Sequence, residues 1–168
     1  VAHARLQWMQ AGAERRPDQQ MEASNTLARL LPADADILGQ LATLHLMRRR
    51  YPESIALYRK ALLVDPSWPG LWNQAAYVEA RGGNTDAAIA NLKKYASLVP
   101  AGANPLDSAG EIYFMAGRFK EAEQSFLDAY QKEPTFFGGV ALRKAAEARR
   151  MQGDLAGADA LFAKYADA

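Results

Sequence analysis

The chain has 168 residues, and its 20 Lys and Arg nearly balance its 19 Asp and Glu. A net charge of +1 provides no general attraction for nucleic acid or an anionic membrane. The absence of cysteine excludes disulfides and thiolate metal sites. No apolar run approaches the roughly 18 residues that a membrane span requires, so we expect no membrane insertion and no nucleic-acid partner.

Proline residues mark a regular repeat in the sequence. Pro32, Pro66, Pro100 and Pro134 recur 34 residues apart, a spacing typical of stacked helical repeats. Between successive prolines lie two apolar stripes at helical spacing, separated by a short polar turn. Ala and Leu outnumber Val and Ile, which also favours helix. We predict an all-α chain of about ten helices.

Five rows follow in chain order, at residues 1–34, 35–68, 69–102, 103–136 and 137–168. The first keeps only Pro32 and an outline of two helices, so we interpret it as a degenerate cap. The last is a divergent pair that starts about two residues late, because Phe136 to Gly139 lengthens the connection. The chain begins without Met and inside a helical pattern, which we take as a segment of a longer polypeptide.

Small and aromatic residues repeat at matching positions of the rows. Ala42, Ala76 and Gly110 would let paired helices approach closely, while Tyr58 and Phe126 would fill the gap to the next pair. Together with the closing proline, this pattern resembles the tetratricopeptide repeat. The resemblance implies a right-handed α-solenoid of antiparallel helix pairs, in which we expect Trp72 to be buried.

In that family, the first helices of successive pairs line a concave groove that binds partners. Carried over by position, the resemblance implies the groove residues Met47, Asn73, Gln74, Tyr77, Arg81, Asp107, Glu111, Phe114 and Met115, with Gln40, Thr43 and Lys144 on the same face. Carboxamides donate and accept at once, as a peptide backbone requires, and Met adapts its shape to a partner. For Met47, Phe114 and Met115 the alternative is packing between adjacent helices.

A set of arginines shares one position, at the end of a first helix or in the turn after it. The set comprises Arg48, Arg49, Arg50, Arg118, Arg149 and Arg150, with Arg15, Arg16 and Arg81. Cations there stabilise the helix dipole. The alternative is a basic edge that docks an acidic partner.

The sequence contains little that would support a catalytic site. The two histidines, His3 and His45, fall in different rows, and we expect His45 to be a half-buried packing residue. The acid pairs Asp34/Asp36 and Glu121/Glu123 are interpreted as helix-start charges. We therefore expect no enzyme activity, no metal and no cofactor.

The leading prediction is a protein–protein interaction module that binds an unidentified protein or peptide. Ala103 to Phe126 resembles repeats of bacterial multidomain proteins, and apolar residues near the C-terminus suggest self-association. A cytoplasmic location is favoured, or a periplasmic one if the parent chain has a signal peptide. A chaperone-tail carboxylate clamp is not expected, because its Lys, Asn and Arg positions hold other residues: Gly39, Thr43, Gln74, Asn104 and Ser108.

Two alternatives remain open at this point. The first is an assembly or secretion scaffold of an export machine, in which helical repeats form the periplasmic part. The second is a glycan or small-ligand binding domain that uses Tyr77 and Phe114.

Overall fold

A computed structural model describes residues 1–167, which contain ten α-helices, one 3-10 segment (Phe136–Gly139) and no strand. The α-helices α1 to α10 are Ala2–Ala13, Pro17–Leu30, Ala35–Met47, Tyr51–Val64, Pro69–Arg81, Thr85–Leu98, Asn104–Met115, Phe119–Lys132, Val140–Met151 and Leu155–Ala166. Ala168, the last residue of the fifth row, lies outside the described residues. None of these helices is both long and apolar enough to cross a membrane.

The chain divides into two compact units. Unit 1 is Val1–Val78 and contains α1 to α4 with most of α5; unit 2 starts at Glu79 and contains α6 to α10. In unit 1, α1 packs on α2 and α3 on α4; in unit 2, α7 packs on α8 and α9 on α10. Each of these pairs is joined by a short turn, so its two helices are antiparallel.

Each proline of the 34-residue series lies two residues beyond the end of a second helix, as at Leu30 and Pro32 or Lys132 and Pro134. The residue before each proline has left the helical conformation; Leu31, for example, has φ −132° and ψ 65°. A following proline ring disfavours the helical region for its predecessor. The prolines therefore end the second helices, as their spacing predicts.

Tyr58 fills the core of unit 1. It is 1% exposed and packs among Leu38, Ala42, Ala61 and Leu71, so the expected gap-filling role of this aromatic is confirmed.

Trp72 is not the buried aromatic that we expected. It is half-buried, and its Nε1 donates a hydrogen bond of 2.8 Å to the carbonyl of Pro66. The expectation is wrong because its neighbour Leu71, 4% exposed, takes the core position at the start of α5.

The core of unit 2 centres on Phe126, which is 2% exposed and packs with Ala122, Ala145 and Ala148. Glu123, on the same helix, is more than a helix-start charge. Its buried carboxylate accepts hydrogen bonds from Arg149 and from Gln152. The interpretation of Glu123 as a helix-start charge is therefore wrong, because Arg149 of α9 and the following Gln152 supply partners that the local sequence does not show.

Candidate functional site

The first helices of unit 1 enclose a hollow of about 240 Å³ between α3 and α5. Its lining consists of Asp36, Gly39, Gln40, Thr43, Tyr58, Trp68, Gly70, Leu71 and Gln74. Gln40, Thr43 and Gln74 are among the positions that the family resemblance assigns to the groove. We call this space the Trp68 hollow.

Trp68 was not anticipated as a site residue. It lies in the loop between α4 and α5 and is 39% exposed, so one wall of the hollow is an open indole. Indole combines a large apolar face with an N–H donor, which suits it to interfaces. The only sequence signal for this role was that Trp68, which precedes Pro69, does not fall on a position of the repeat pattern.

The polar groups of the Trp68 hollow are held in place by hydrogen bonds. Thr43 Oγ1 donates to the carbonyl of Gly39 at 3.0 Å and lies 2.8 Å from Tyr58 Oη. Burial raises the pKa of Tyr58, and the hydrogen bond with Thr43 opposes this shift. The phenol therefore stays neutral, and with Thr43 donating to Gly39 it is the donor to Thr43.

Gln40 and Gln74 supply the carboxamides. Gln40 Nε2 donates to Asp36 Oδ2 at 2.7 Å, which orients the Gln40 side chain and leaves its Oε1 as an acceptor. Gln74 lies on α5 and is exposed. The hollow thus presents an amide from each of two helices to anything that enters it.

A second hollow of about 200 Å³ lies between α1 and α3, and we call it the Trp8 hollow. Arg5, Trp8, Met9, Leu27, Asp36, Ile37 and Gln40 line it. Asp36 and Gln40 therefore border both hollows. Trp8 Nε1 is buried and has no hydrogen-bond partner among the described residues, whereas Met9 is 62% exposed.

The remaining groove residues predicted for unit 1 line neither hollow. Met47 ends α3 and is 75% exposed. Asn73 is half-buried, and its Oδ1 is buried without a hydrogen-bond partner in the described part of the chain. Tyr77 is half-buried on α5. The structure thus brings Gln74 to the Trp68 hollow but not these three.

In unit 2, the corresponding face is occupied by an ion cluster. Lys144 Nζ on α9 donates to Asp107 Oδ2 at 2.7 Å and to Glu111 Oε1 at 2.6 Å, both on α7. Burial raises the pKa of Asp107, although the hydrogen bond from Lys144 opposes this. Burial would lower the pKa of Lys144, but its hydrogen bonds to Asp107 and Glu111 outweigh it and raise that pKa. The charged groups of Lys144, Asp107 and Glu111 therefore pair with one another inside unit 2.

Phe114 also serves the interior of unit 2. It packs against the Phe126 cluster and meets Phe119 edge-on, with ring centroids 5.2 Å apart. Of the other residues predicted for this unit, Met115 is 48% exposed and Arg81 is exposed. Phe114 is therefore a packing residue, which was the alternative considered for it.

Several arginines of the predicted basic edge have partners. Arg48 pairs with Asp18 at 2.9 Å. Arg118 pairs with Glu121 at 2.8 Å and lies 4.7 Å from the Tyr113 ring centroid, and Arg149 pairs with Glu123. In contrast, Arg49, Arg50 and Arg150 are exposed and have no side-chain partner among residues 1–167.

His45 lies in the last turn of α3 and is half-buried. Burial lowers its pKa, and its Nδ1 has no hydrogen-bond partner in the range described. Within that range no group of three or more His, Asp or Glu side chains is arranged to hold a metal ion. His45 is half-buried, as expected.

Solved structures with the same fold include those of MamA. One MamA crystal structure superposes with a TM-score of 0.80 at 16% identity and covers 99% of this chain and 90% of that chain. MamA from Desulfovibrio magneticus RS-1 gives a TM-score of 0.81 at 15% identity over 99% and 93% of the two chains. The Naa15/Naa10 complex bound to HypK-THB matches with a TM-score of 0.59 at 17% identity, covering 99% of this chain and 25% of that chain.

No family model matches the sequence, and no curated protein does. At sequence identities of 15–17%, the similarity to these structures shows a shared fold and nothing more. The all-α fold class of tetratricopeptide type, built from helix pairs, is confirmed.

Proposed function

We propose that this chain is a non-catalytic interaction module that binds a segment of a partner protein on the first-helix face of unit 1. The observation that carries the proposal is the Trp68 hollow, where an exposed indole lies beside the carboxamides of Gln40 and Gln74. An aromatic wall supplies contact area, and amides satisfy the donors and acceptors of a peptide backbone.

The two hollows suit a peptide better than a single compact ligand. They share Asp36 and Gln40, so a chain that leaves one hollow passes directly over this hydrogen-bonded pair into the other. Volumes of about 240 and 200 Å³ each suit one or two side chains. Trp8 and Met9 give the second hollow an apolar character. We propose that apolar side chains of the partner enter both.

Unit 2 contributes little to this binding face in the proposal. Asp107 and Glu111 both pair with Lys144, and Phe114 packs against the Phe126 cluster. Breaking this cluster to contact a ligand would leave buried charge without a partner, which is costly. Unit 1 is therefore the place to look for the ligand.

The test uses a random peptide library displayed on phage, followed by titration of the selected peptides. Trp8, Trp68 and Trp72 are the three tryptophans of the chain, and all lie in unit 1, so selectively excited tryptophan fluorescence reports on that unit. We expect Trp68→Ala to weaken selected peptides by about tenfold or more, as for an aromatic at the centre of an interface. Gln74→Ala should weaken them less.

Leu63→Ser is the matched control, because Leu63 is 85% exposed on α4 and lines neither hollow. Peptides that bind the Trp68→Ala and Gln74→Ala variants as tightly as the original chain would contradict the proposal.

A small polar ligand such as a sugar is the second candidate. The indole of Trp68 can stack on the apolar face of a sugar ring, and Asp36 with the two carboxamides can bind its hydroxyls. In this second candidate function, Trp68 provides the aromatic contact with the ligand that the sequence analysis expected of Phe114. Titration with a panel of oligosaccharides distinguishes the two candidates: binding of sugars but of no selected peptide would favour the second.

A further inference from the structure

The turn between the two helices of each row holds one residue with positive φ. These residues are Arg15, Arg49, Gly83, Gly117 and Gly153. The three in unit 2 are glycines, which adopt this conformation without strain. The two in unit 1 are arginines, with φ of 54° and 58°. Backbone geometry favours glycine at both sites and does not explain arginine.

The two strained turns lie side by side within unit 1. Arg48 reaches from the second turn to the start of α2, where it donates to the carbonyl of Pro17 at 2.7 Å and to Asp18 at 2.9 Å. The helices that lead into the turns also pack, since Ala4 and Trp8 of α1 belong to one cluster with Ile37 of α3. The contacts of Arg48 therefore place the turn that contains Arg49 next to the turn that contains Arg15.

Charge on this edge is incompletely balanced. Glu14 pairs with Arg16 at 3.0 Å, and Asp18 pairs with Arg48. The side chains of Arg15, Arg49 and Arg50 are exposed and have no partner in the described part of the chain. Arg48 at the C-terminus of α3 already provides a cation for that helix dipole, so dipole stabilisation of α3 does not require Arg49 and Arg50.

Unit 2 provides an internal comparison. Arg118 and Arg149 of unit 2 pair with Glu121 and Glu123, and Arg150 has no side-chain partner among the described residues, but the left-handed turn positions of this unit are all glycines. The excess of unpaired arginine at strained positions is thus a property of the two turns of unit 1.

We propose that Arg15, Arg49 and Arg50 form a docking surface for a carboxylate-rich segment of a partner protein. Guanidinium groups bind carboxylates through paired, charge-assisted hydrogen bonds. An extended segment with acidic residues two or three positions apart spaces its carboxylates by about 7–10 Å, so that different carboxylates can reach the arginines of the two neighbouring turns. The chain's net charge of +1 disfavours a general affinity for long polyanions. This surface is separate from the two hollows.

The experiment titrates a fluorescein-labelled peptide of alternating Glu and Gly, with its Gln and Gly counterpart as the neutral probe. We expect the Arg15→Gly/Arg49→Gly variant to bind the Glu peptide at least tenfold more weakly while its melting temperature rises, because the strain is relieved. The Arg15→Lys/Arg49→Lys variant keeps the charge and should retain most of the binding. Lys93→Gln/Lys94→Gln, which removes two exposed cations of α6, should bind normally.

Three results would overturn the proposal. The glycine variant could bind the Glu peptide as the original chain does, or the Gln peptide could bind equally well. The third is a DNA duplex or a phosphatidylserine vesicle that binds as tightly as the Glu peptide and is lost in the same variant, which would assign the edge to another class of polyanion. The Arg50→Gln variant tests the third cation of the surface without changing a strained turn, and the measured quantity is again the affinity for the Glu peptide.

Discussion

Gly110 of α7 lies directly against the ring of Phe126 on α8: a Cβ atom at position 110 would come within 2.5 Å of Phe126 Cδ1. Real Cβ contacts are never this short, and the ring is 2% exposed, so it has no room to retreat. The small residue of the repeat pattern is required here by contact between paired helices.

Gly110→Ala should therefore destabilise the chain by about 1–3 kcal/mol, as overpacking of a core does. Urea unfolding followed by circular dichroism measures this. Gly102→Ala is the control, since its nearest neighbouring atom lies at 3.7 Å, and it should change stability by less than about 0.5 kcal/mol. Equal effects of the two substitutions would contradict the packing argument.

Removal of Lys144 should be more costly than removal of its neighbour Arg143. Lys144→Met leaves the buried Asp107 without a cation, and we expect a loss of about 3 kcal/mol. Arg143 pairs with Glu147 on a face where both side chains are more than a third exposed, so Arg143→Met should cost less than about 1 kcal/mol. Thermal unfolding of both variants tests the difference, and similar losses would show that the cluster is not effectively buried.

His45 should make stability depend on pH. Burial is the main cause that lowers its pKa below 6.5, with Arg50 and Arg48 acting in the same direction and Glu53 against them. The unfolded chain therefore takes up a proton at a higher pH than the folded chain. The stabilising contribution is present above pH 6.5 and is lost as the pH falls through the folded-state pKa.

The measurement compares urea unfolding at pH 7.5 and pH 5.5 for the original chain and for His45→Gln. The original chain should lose more stability on acidification than the variant, in which this proton uptake is absent. An identical pH dependence of the two would remove His45 as its source.

Arg49→Gly should stabilise the chain by about 1–2 kcal/mol, because glycine relieves the left-handed strain at φ 58°. The inverse substitution, Gly83→Ala, meets no atom within 4 Å, so its loss of about 1 kcal/mol would come from backbone strain at φ 85°. Calorimetric melting of both variants checks the sign of each change. A less stable Arg49→Gly would mean that the arginine side chain makes a stabilising contribution.

Much of the fold was predictable because the signals for it are local. A residue before proline leaves the helix wherever it occurs, so the 34-residue series located the ends of four second helices. Small residues such as Ala42, 0% exposed, and Gly110 indicated where paired helices approach. The exposure of Trp68 was not predictable, since it lies in the loop before α5, which the repeat pattern does not describe. The pattern also did not show that Leu71, and not Trp72, would take the core position of α5.

The sequence by itself determined the all-α class and the ten helices, because helical periodicity and proline termination act over a few residues. Only the tertiary structure decided which polar side chains are paired within the chain and which remain available to bind a partner. Lys144 meets Asp107 from 37 positions away, and Arg48 meets Asp18 from 30. Whether a charge is paired depends on which side chains distant segments bring within about 3 Å, and composition and spacing carry no record of those distances.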